Sequence, residues 1–231
     1  MSTLDRNHFG SMNGTKEWMK VPVNKFWGEI ASRDHIVQMY ENDKILINSL
    51  AGFVRDGVNS RDTTIIIATP LHLAKLEEKL EQDGIDLYAE INENRFVAVD
   101  AEETLQSFMI DDWPDAPLFF LTVSELIQSV KVEGRPIRAF GEMVALLWER
   151  GLKGATVQLE YLWNKFAEKE AFSLFCAYPR SAFSDDLHNS LSGICCAHSK
   201  ILAGTEGDST EVIYRSVDRK RPDSNSSLLS R

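Results

Sequence analysis

The run Thr63-Thr-Ile-Ile-Ile-Ala68 is β-branched or apolar at every position. A strand of that composition needs cover on both faces, which the central strand of a parallel sheet receives from helices packed above and below it. Pro70 follows at once and opens a helix at its first turn, where a missing N–H costs little. That helix carries Leu73, Leu76 and Leu80 and stops near Gly84. A strand buried on both sides followed directly by a helix is the repeating unit of an open α/β sheet.

The same alternation continues along the chain. His35-Ile-Val-Gln-Met-Tyr40 reads as a strand, and Asp43 offers an N-cap for a helix with Ile45, Leu46, Leu50, Phe53 and Val54 that closes at Gly57. Asp86 to Ile91 and Arg95 to Val99 read as short strands, followed by a helix from Ala101 to about Met109. Asp115 to Val130 is apolar and helical, with Pro114 and Pro117 fixing its start. Ile137-Arg-Ala-Phe-Gly-Glu-Met-Val-Ala-Leu-Leu-Trp-Glu-Arg-Gly151 then reads as strand, abrupt Gly141-Glu142 turn and helix. A second helix carries the stripe Ala155, Leu159, Leu162, Trp163 and Phe166. Phe172 to Ala177 is another buried strand, and Ser184 to about Leu202 a last helix. The pattern implies a three-layer αβα domain with a mostly parallel central sheet. Residues 31–205 form this single domain, residues 1–30 a partly ordered arm, and residues 206–231 a flexible polar tail.

Bulk composition removes several classes of function. With 231 residues, 43% of them hydrophobic, one full core is within reach. A net charge of −10 and a pI near 5.0 argue against direct nucleic-acid binding, which needs a basic face. Arg215, Arg219, Lys220 and Arg221 read as a solvated tail. Three cysteines are too few for a disulfide framework. No run approaches the roughly 18 apolar residues of a membrane span, and the N-terminus has no secretory core. A soluble cytoplasmic protein is expected.

Phosphate chemistry lacks its usual loop. After Tyr40 comes Glu-Asn-Asp-Lys, with no glycine run and no Gly-Lys-Ser/Thr. Phe96-Val-Ala-Val-Asp100 with Glu102 and Glu103 matches a magnesium-positioning strand only superficially, and an Asp capping the next helix explains it. In the late helix, His188 and Cys195 are about 10 Å apart along the axis, and the pair Cys195/His198 makes only half a zinc site. Cys176 has apolar neighbours and no glycine elbow, so it reads as a buried structural thiol. His35 reads as a half-buried histidine, and Glu160 as a boundary residue or a partner for Arg138. Glu142 begins a helix at the carboxyl edge of the sheet, where dipole complementarity and ligand contact account for it equally. Trp148 and Trp163 read as core anchors before pocket walls.

These residues, read in order, resemble the MEDS family of sensory domains, named for methanogen/methylotroph DcmR-type proteins. The likeness is carried by His35–Tyr40, Ile65–Pro70, Arg138-Ala-Phe-Gly-Glu-Met-Val-Ala-Leu-Leu-Trp148, Glu160-Tyr-Leu-Trp-Asn164 and Leu174-Phe-Cys-Ala-Tyr-Pro179, and it runs from about Asp34 to Leu202. The resemblance implies a signal-transduction input domain for small, hydrocarbon-like ligands, coupled to histidine kinases or DNA-binding regulators. It also implies a RecA/KaiC-like fold without a working phosphate loop. No kinase or helix-turn-helix pattern follows residue 205, so the chain is expected to act on a separate signalling partner or to serve another role.

The reading is a non-catalytic sensor that binds a small molecule at the carboxyl edge of the sheet, without a cofactor or metal. His35, Tyr40, Thr69, Arg138, Glu142 and Tyr178 are the expected polar contacts, with Phe140 and Trp148 as apolar walls. Two rival readings stand beside it. One is a degenerate nucleotide hydrolase using Asp100 and Glu142 around magnesium, the other a ligand-free interaction module that dimerises on an exposed helix face.

Overall fold

The computed structural model describes residues 18–182, 198–205 and 211–217. The chain enters through β1 (Met19–Pro22) and α1 (Val23–Gly28). It continues through β2 (His35–Tyr40), α2 (Asp43–Ser60), β3 (Thr63–Ala68), α3 (Pro70–Gln82), α4 (Leu87–Asn92) and β4 (Phe96–Asp100). Next come α5 (Ala101–Gln106), the two-residue strands β5 (Met109–Ile110) and β6 (Trp113–Pro114), α6 (Ala116–Val130) and β7 (Ile137–Gly141). The last elements are α7 (Met143–Glu149), α8 (Lys153–Lys169), β8 (Phe172–Pro179), β9 (Lys200–Thr205) and β10 (Glu211–Ser216).

Eight strands form one sheet in the order β1-β10-β9-β2-β8-β7-β3-β4. The six from β9 to β4 are parallel to one another, whereas β10 and β1 add on antiparallel. From β2 the chain moves outward to β3 and β4, with α2 and α3 packed on one face. It then reverses through β7 and β8, and α6, α7 and α8 pack on the other. Right-handed crossovers require this change of face when the direction reverses. The two faces bury separate cores. Phe53, Phe140 and Phe175 lie in the first, and Phe119, Trp163 and Phe166 in the second.

Local chemistry sets the helix starts. Asn42 Oδ1 accepts from Ile45 N–H, so the cap of α2 falls one residue before the expected Asp43. Thr69 caps α3 ahead of Pro70, Asp100 caps α5 and Asp115 caps α6. Asp111 and Asp112, at φ 47° and 58°, make the two-residue turn between β5 and β6, a backbone that Asp tolerates better than bulkier residues.

Four expectations change. Asp86–Ile91 is not a strand: Asp86 Oδ1 caps Ala89 N–H and the segment coils as α4, with Glu90 turned inward to pair with Arg95. The supposed last helix gives way at its described end to β9, which starts at Lys200; His188, Cys195 and Cys196 lie outside the described residues. The expected tail contains β10, and the expected arm contains β1 and α1, whose Phe26 and Trp27 are buried. The ladder Met19↔Tyr214 to Pro22↔Glu211 supplies the backbone partners that neither segment has locally. Among the described residues, no helix is long and apolar enough to cross a membrane.

Candidate functional site

Two polar groups stand out, at different depths in the fold. The first lies at the carboxyl edge of the sheet. The Gly141 turn after β7 places Glu142 beside the end of β3, and Glu142 N–H continues the ladder to Ile67 C=O at 2.9 Å. Its carboxylate does not cap α7. One oxygen accepts from Thr69 N–H at 2.8 Å and the other meets His72 Nδ1 at 2.6 Å. The opposite imidazole nitrogen of His72 faces Asp43 at 3.5 Å, and Lys75 reaches the same Asp43 at 2.5 Å.

Charge shapes this edge. The hydrogen bond to Glu142 raises the His72 pKa above its ordinary value, although burial opposes it. The hydrogen bond from Lys75 lowers that of Asp43. Burial raises the Glu149 carboxyl, and the Glu142 charge adds to the effect. Burial also raises the Tyr40 phenol, helped by Glu142, Glu149 and Asp43. Three carboxylates and a phenol thus face one imidazole and one ammonium.

The second group is buried between the sheet and α8. His35 and Cys176 project from β2 and β8 toward α8, Glu160 descends from α8, and His198 precedes β9. One ligand-type atom from each of the four lies within 4.8 Å of all the others. His35 Nε2 is 3.3 Å from Cys176 Sγ and 3.5 Å from Glu160 Oε2, and His198 Nε2 is 3.6 Å from the same oxygen. The two imidazole rings lie 3.9 Å apart, and all four residues are buried.

A surrounding shell orients these groups. Asn164 donates its amide N–H to Glu160 C=O at 3.0 Å, which turns its Oδ1 toward His35 Nδ1 at 3.2 Å. An acceptor there assigns the proton to Nδ1 and leaves the Nε2 lone pair facing the cluster. Tyr178 donates to Glu160 Oε1 at 2.5 Å, whereas Oε2 makes no hydrogen bond among the described residues. Burial pushes the Glu160 carboxyl up to about 7 against the pull of Tyr178. It also raises the Cys176 thiol well above its usual value. Ser199 ties the strand starts together, its N–H donating to His35 C=O at 2.6 Å and its hydroxyl accepting from His35 N–H at 3.0 Å.

The eight expected site residues therefore divide. Tyr40, Thr69 and Glu142 meet at the carboxyl edge, joined by His72, Asp43, Lys75 and Glu149, which sequence reasoning did not select. His35 belongs to the buried cluster because it starts its strand at the opposite end from that edge, and Tyr178, near the carboxyl end of β8, turns its hydroxyl to Glu160 of the cluster. Trp148 is a core residue whose ring meets Tyr178 edge-on at 6.3 Å. Arg138 and Phe140 point to the other face. Arg138 binds Asp62, Asp56 and Phe53 C=O, and Phe140 packs on Phe175, so neither contacts Glu142 or Glu160. Two surface hollows, one beside Trp27 and Gly52 and one beside Glu81 and Ile85, lie apart from both groups.

Sequence held partial signals for the buried cluster. Glu160 and Asn164 are four apart and share a helix side, and Cys176 and Tyr178 are two apart and share a strand face. Nothing local reports that β2 lies beside β8 in the register His35↔Leu174, and that placement assembles the four.

Comparison with known proteins gives a consistent outline. No curated protein matches the chain. Among solved structures, an uncharacterised protein of Pyrococcus horikoshii, crystallised in complex with an unknown peptide, is similar in fold at a TM-score of 0.54. It is 15% identical, over 78% of this chain and 81% of that one. The model of the MEthanogen/methylotroph, DcmR Sensory domain matches residues 34–199, a span that contains β2 through β8 and all four buried polar residues. The chain belongs to the MEDS family of sensory domains.

Proposed function

We propose that this chain is a non-catalytic sensory domain that binds a small molecule at the carboxyl edge of its sheet and passes its state to a histidine kinase or transcription regulator. The observation that carries the reading is the Glu142–His72–Asp43 relay. Three elements contribute one residue each, so a ligand that replaces one partner of His72 shifts α2, α3 and the Gly141 turn relative to one another. Ligands of open α/β sheets bind at this edge. The excess of carboxylates favours a ligand that donates hydrogen bonds or carries positive charge, and it repels phosphate.

Two features weigh against nucleotide hydrolysis. Only Glu41 and Asn42 separate β2 from α2, which leaves no loop to wrap a phosphate. Asp100 is engaged as a cap by Glu102 and Glu103 N–H, and Glu142 by His72 and Thr69.

Calorimetric titration of small amines, alcohols and hydrocarbon derivatives tests the reading. A ligand of the wild type is expected to bind at least about tenfold more weakly to Glu142→Gln, the loss of one charged hydrogen bond. Unchanged affinity rejects the edge as the pocket. Magnesium-dependent ATP turnover lost in Asp100→Asn establishes the nucleotide enzyme instead.

A further inference from the structure

We propose that His35, Glu160, Cys176 and His198 form a closed, four-coordinate site for one divalent transition-metal ion of the zinc class. A tetrahedral ion with bonds of about 2.0–2.3 Å holds its ligand atoms about 3.3–3.8 Å apart. The spacings of 3.3, 3.5 and 3.6 Å found here match three of that tetrahedron's six edges, and all four ligand atoms lie within 4.8 Å of one another.

The donor set selects the ion. One thiolate, two imidazoles and one carboxylate suit zinc and its divalent neighbours, whereas calcium and magnesium take oxygen shells. Charge balances as well. The thiolate and the carboxylate supply two negative charges, so a divalent ion leaves the interior neutral. Loading displaces the thiol proton and any proton on Glu160 to solvent, and no electron transfer is involved.

The supporting shell matches the demand. Asn164 fixes His35 as the Nδ1–H tautomer, so that Nε2 is the donor atom, and Tyr178 occupies Oε1, so that Oε2 is the oxygen left for the ion. A buried thiol, two buried imidazoles and a buried acid also exist separately in ordinary cores. Here they converge on a carboxylate oxygen that is buried without a hydrogen bond among the described residues, and such atoms are rare in the absence of a partner. All four positions are protein ligands, so the ion clamps β2, β8, α8 and the segment before β9 and leaves no open position for substrate.

The test uses the full chain, stripped with chelator and titrated with Zn2+ or Co2+. One ion per chain is expected, with a thiolate-to-cobalt charge-transfer band that disappears in Cys176→Ala. Asn164→Ala retains every ligand and is expected to weaken binding about 10–100-fold. X-ray absorption on the zinc-loaded wild type is expected to show one sulfur and three nitrogen or oxygen neighbours, which decides the matter even if the Cys176 variant does not fold. Because Cys195 and Cys196 lie outside the described residues, Cys195→Ser/Cys196→Ser is the control and is expected to bind unchanged. Absence of stoichiometric binding, a shell without sulfur, or binding lost in that control overturns the site.

Discussion

Arg138 shows how a residue type that invites a ligand reading serves structure instead. Its guanidinium reaches Asp62 Oδ2 at 2.5 Å, Asp56 Oδ2 at 3.0 Å and Phe53 C=O at 3.2 Å, and it lies over the Phe53 ring. Removing it strands two partly buried carboxylates, so Arg138→Met is expected to cost about 3–5 kcal/mol in urea unfolding. Ligand affinity per folded molecule is expected to stay unchanged; a selective loss of binding would return Arg138 to the pocket. Glu142 and His72 give the opposite case. The folded-state pKa of His72 is raised, chiefly by Glu142, with Asp43 adding to it. Their contribution is therefore fully present below the unfolded histidine value, about 6.5, and fades as pH rises through the folded value. Lys75, Glu149 and Tyr40 share the site and shift the midpoint without changing the sign. The stability difference between wild type and His72→Gln is expected to be about 1.5–3 kcal/mol near pH 6 and smaller at pH 9. A difference that grows with pH refutes the ion pair. Sequence identified Glu142 through its glycine turn and missed His72, which sits in the first turn of α3 and looks like an ordinary helix residue there.

At the scale of elements, legibility followed how local the determinants are. The strands β2, β3, β7 and β8 could be read because each is apolar on both faces, and α3 and α6 because proline and a capping side chain mark their starts. The antiparallel extension was missed because Met19-Lys-Val-Pro22 and Glu211-Val-Ile-Tyr-Arg-Ser216 are short and partly charged, and each needs the other to satisfy its backbone. The docking of α1 on α2 includes one close approach at Gly52. A Cβ at Gly52 would stand 2.5 Å from the Trp27 indole nitrogen and 2.9 Å from Cδ1. Trp27 is packed against Phe26, Phe53 and Phe175 and has little room to yield. Overpacking of about 1–3 kcal/mol is expected to outweigh the helix-propensity gain of about 0.5–1 kcal/mol in Gly52→Ala. A lower unfolding midpoint, with tryptophan emission shifted to longer wavelength, checks it. A variant as stable as wild type with unshifted emission shows that α1 moves aside freely.

For the molecule as a whole, the question is how the carboxyl edge and the buried cluster inform each other. One helix connects them. Glu142 enters α7, Trp148 near its end meets the Tyr178 ring at 83°, and the Tyr178 hydroxyl holds Glu160 of α8. Two sites bias one another through a shared element with more than one arrangement, and α7, short and packed between both groups, is the element that spans them here. Substitutions at distant sites without a shared partner add within about 0.3–0.5 kcal/mol. Glu142→Gln alters the residue that leads into α7 together with its contacts to Thr69 and His72, and Tyr178→Phe removes only the hydroxyl beyond the far end of α7. Their combined effect on unfolding free energy is expected to depart from the sum by more than about 0.5 kcal/mol if α7 transmits the change from one end to the other. Strict additivity means that the edge and the cluster respond separately.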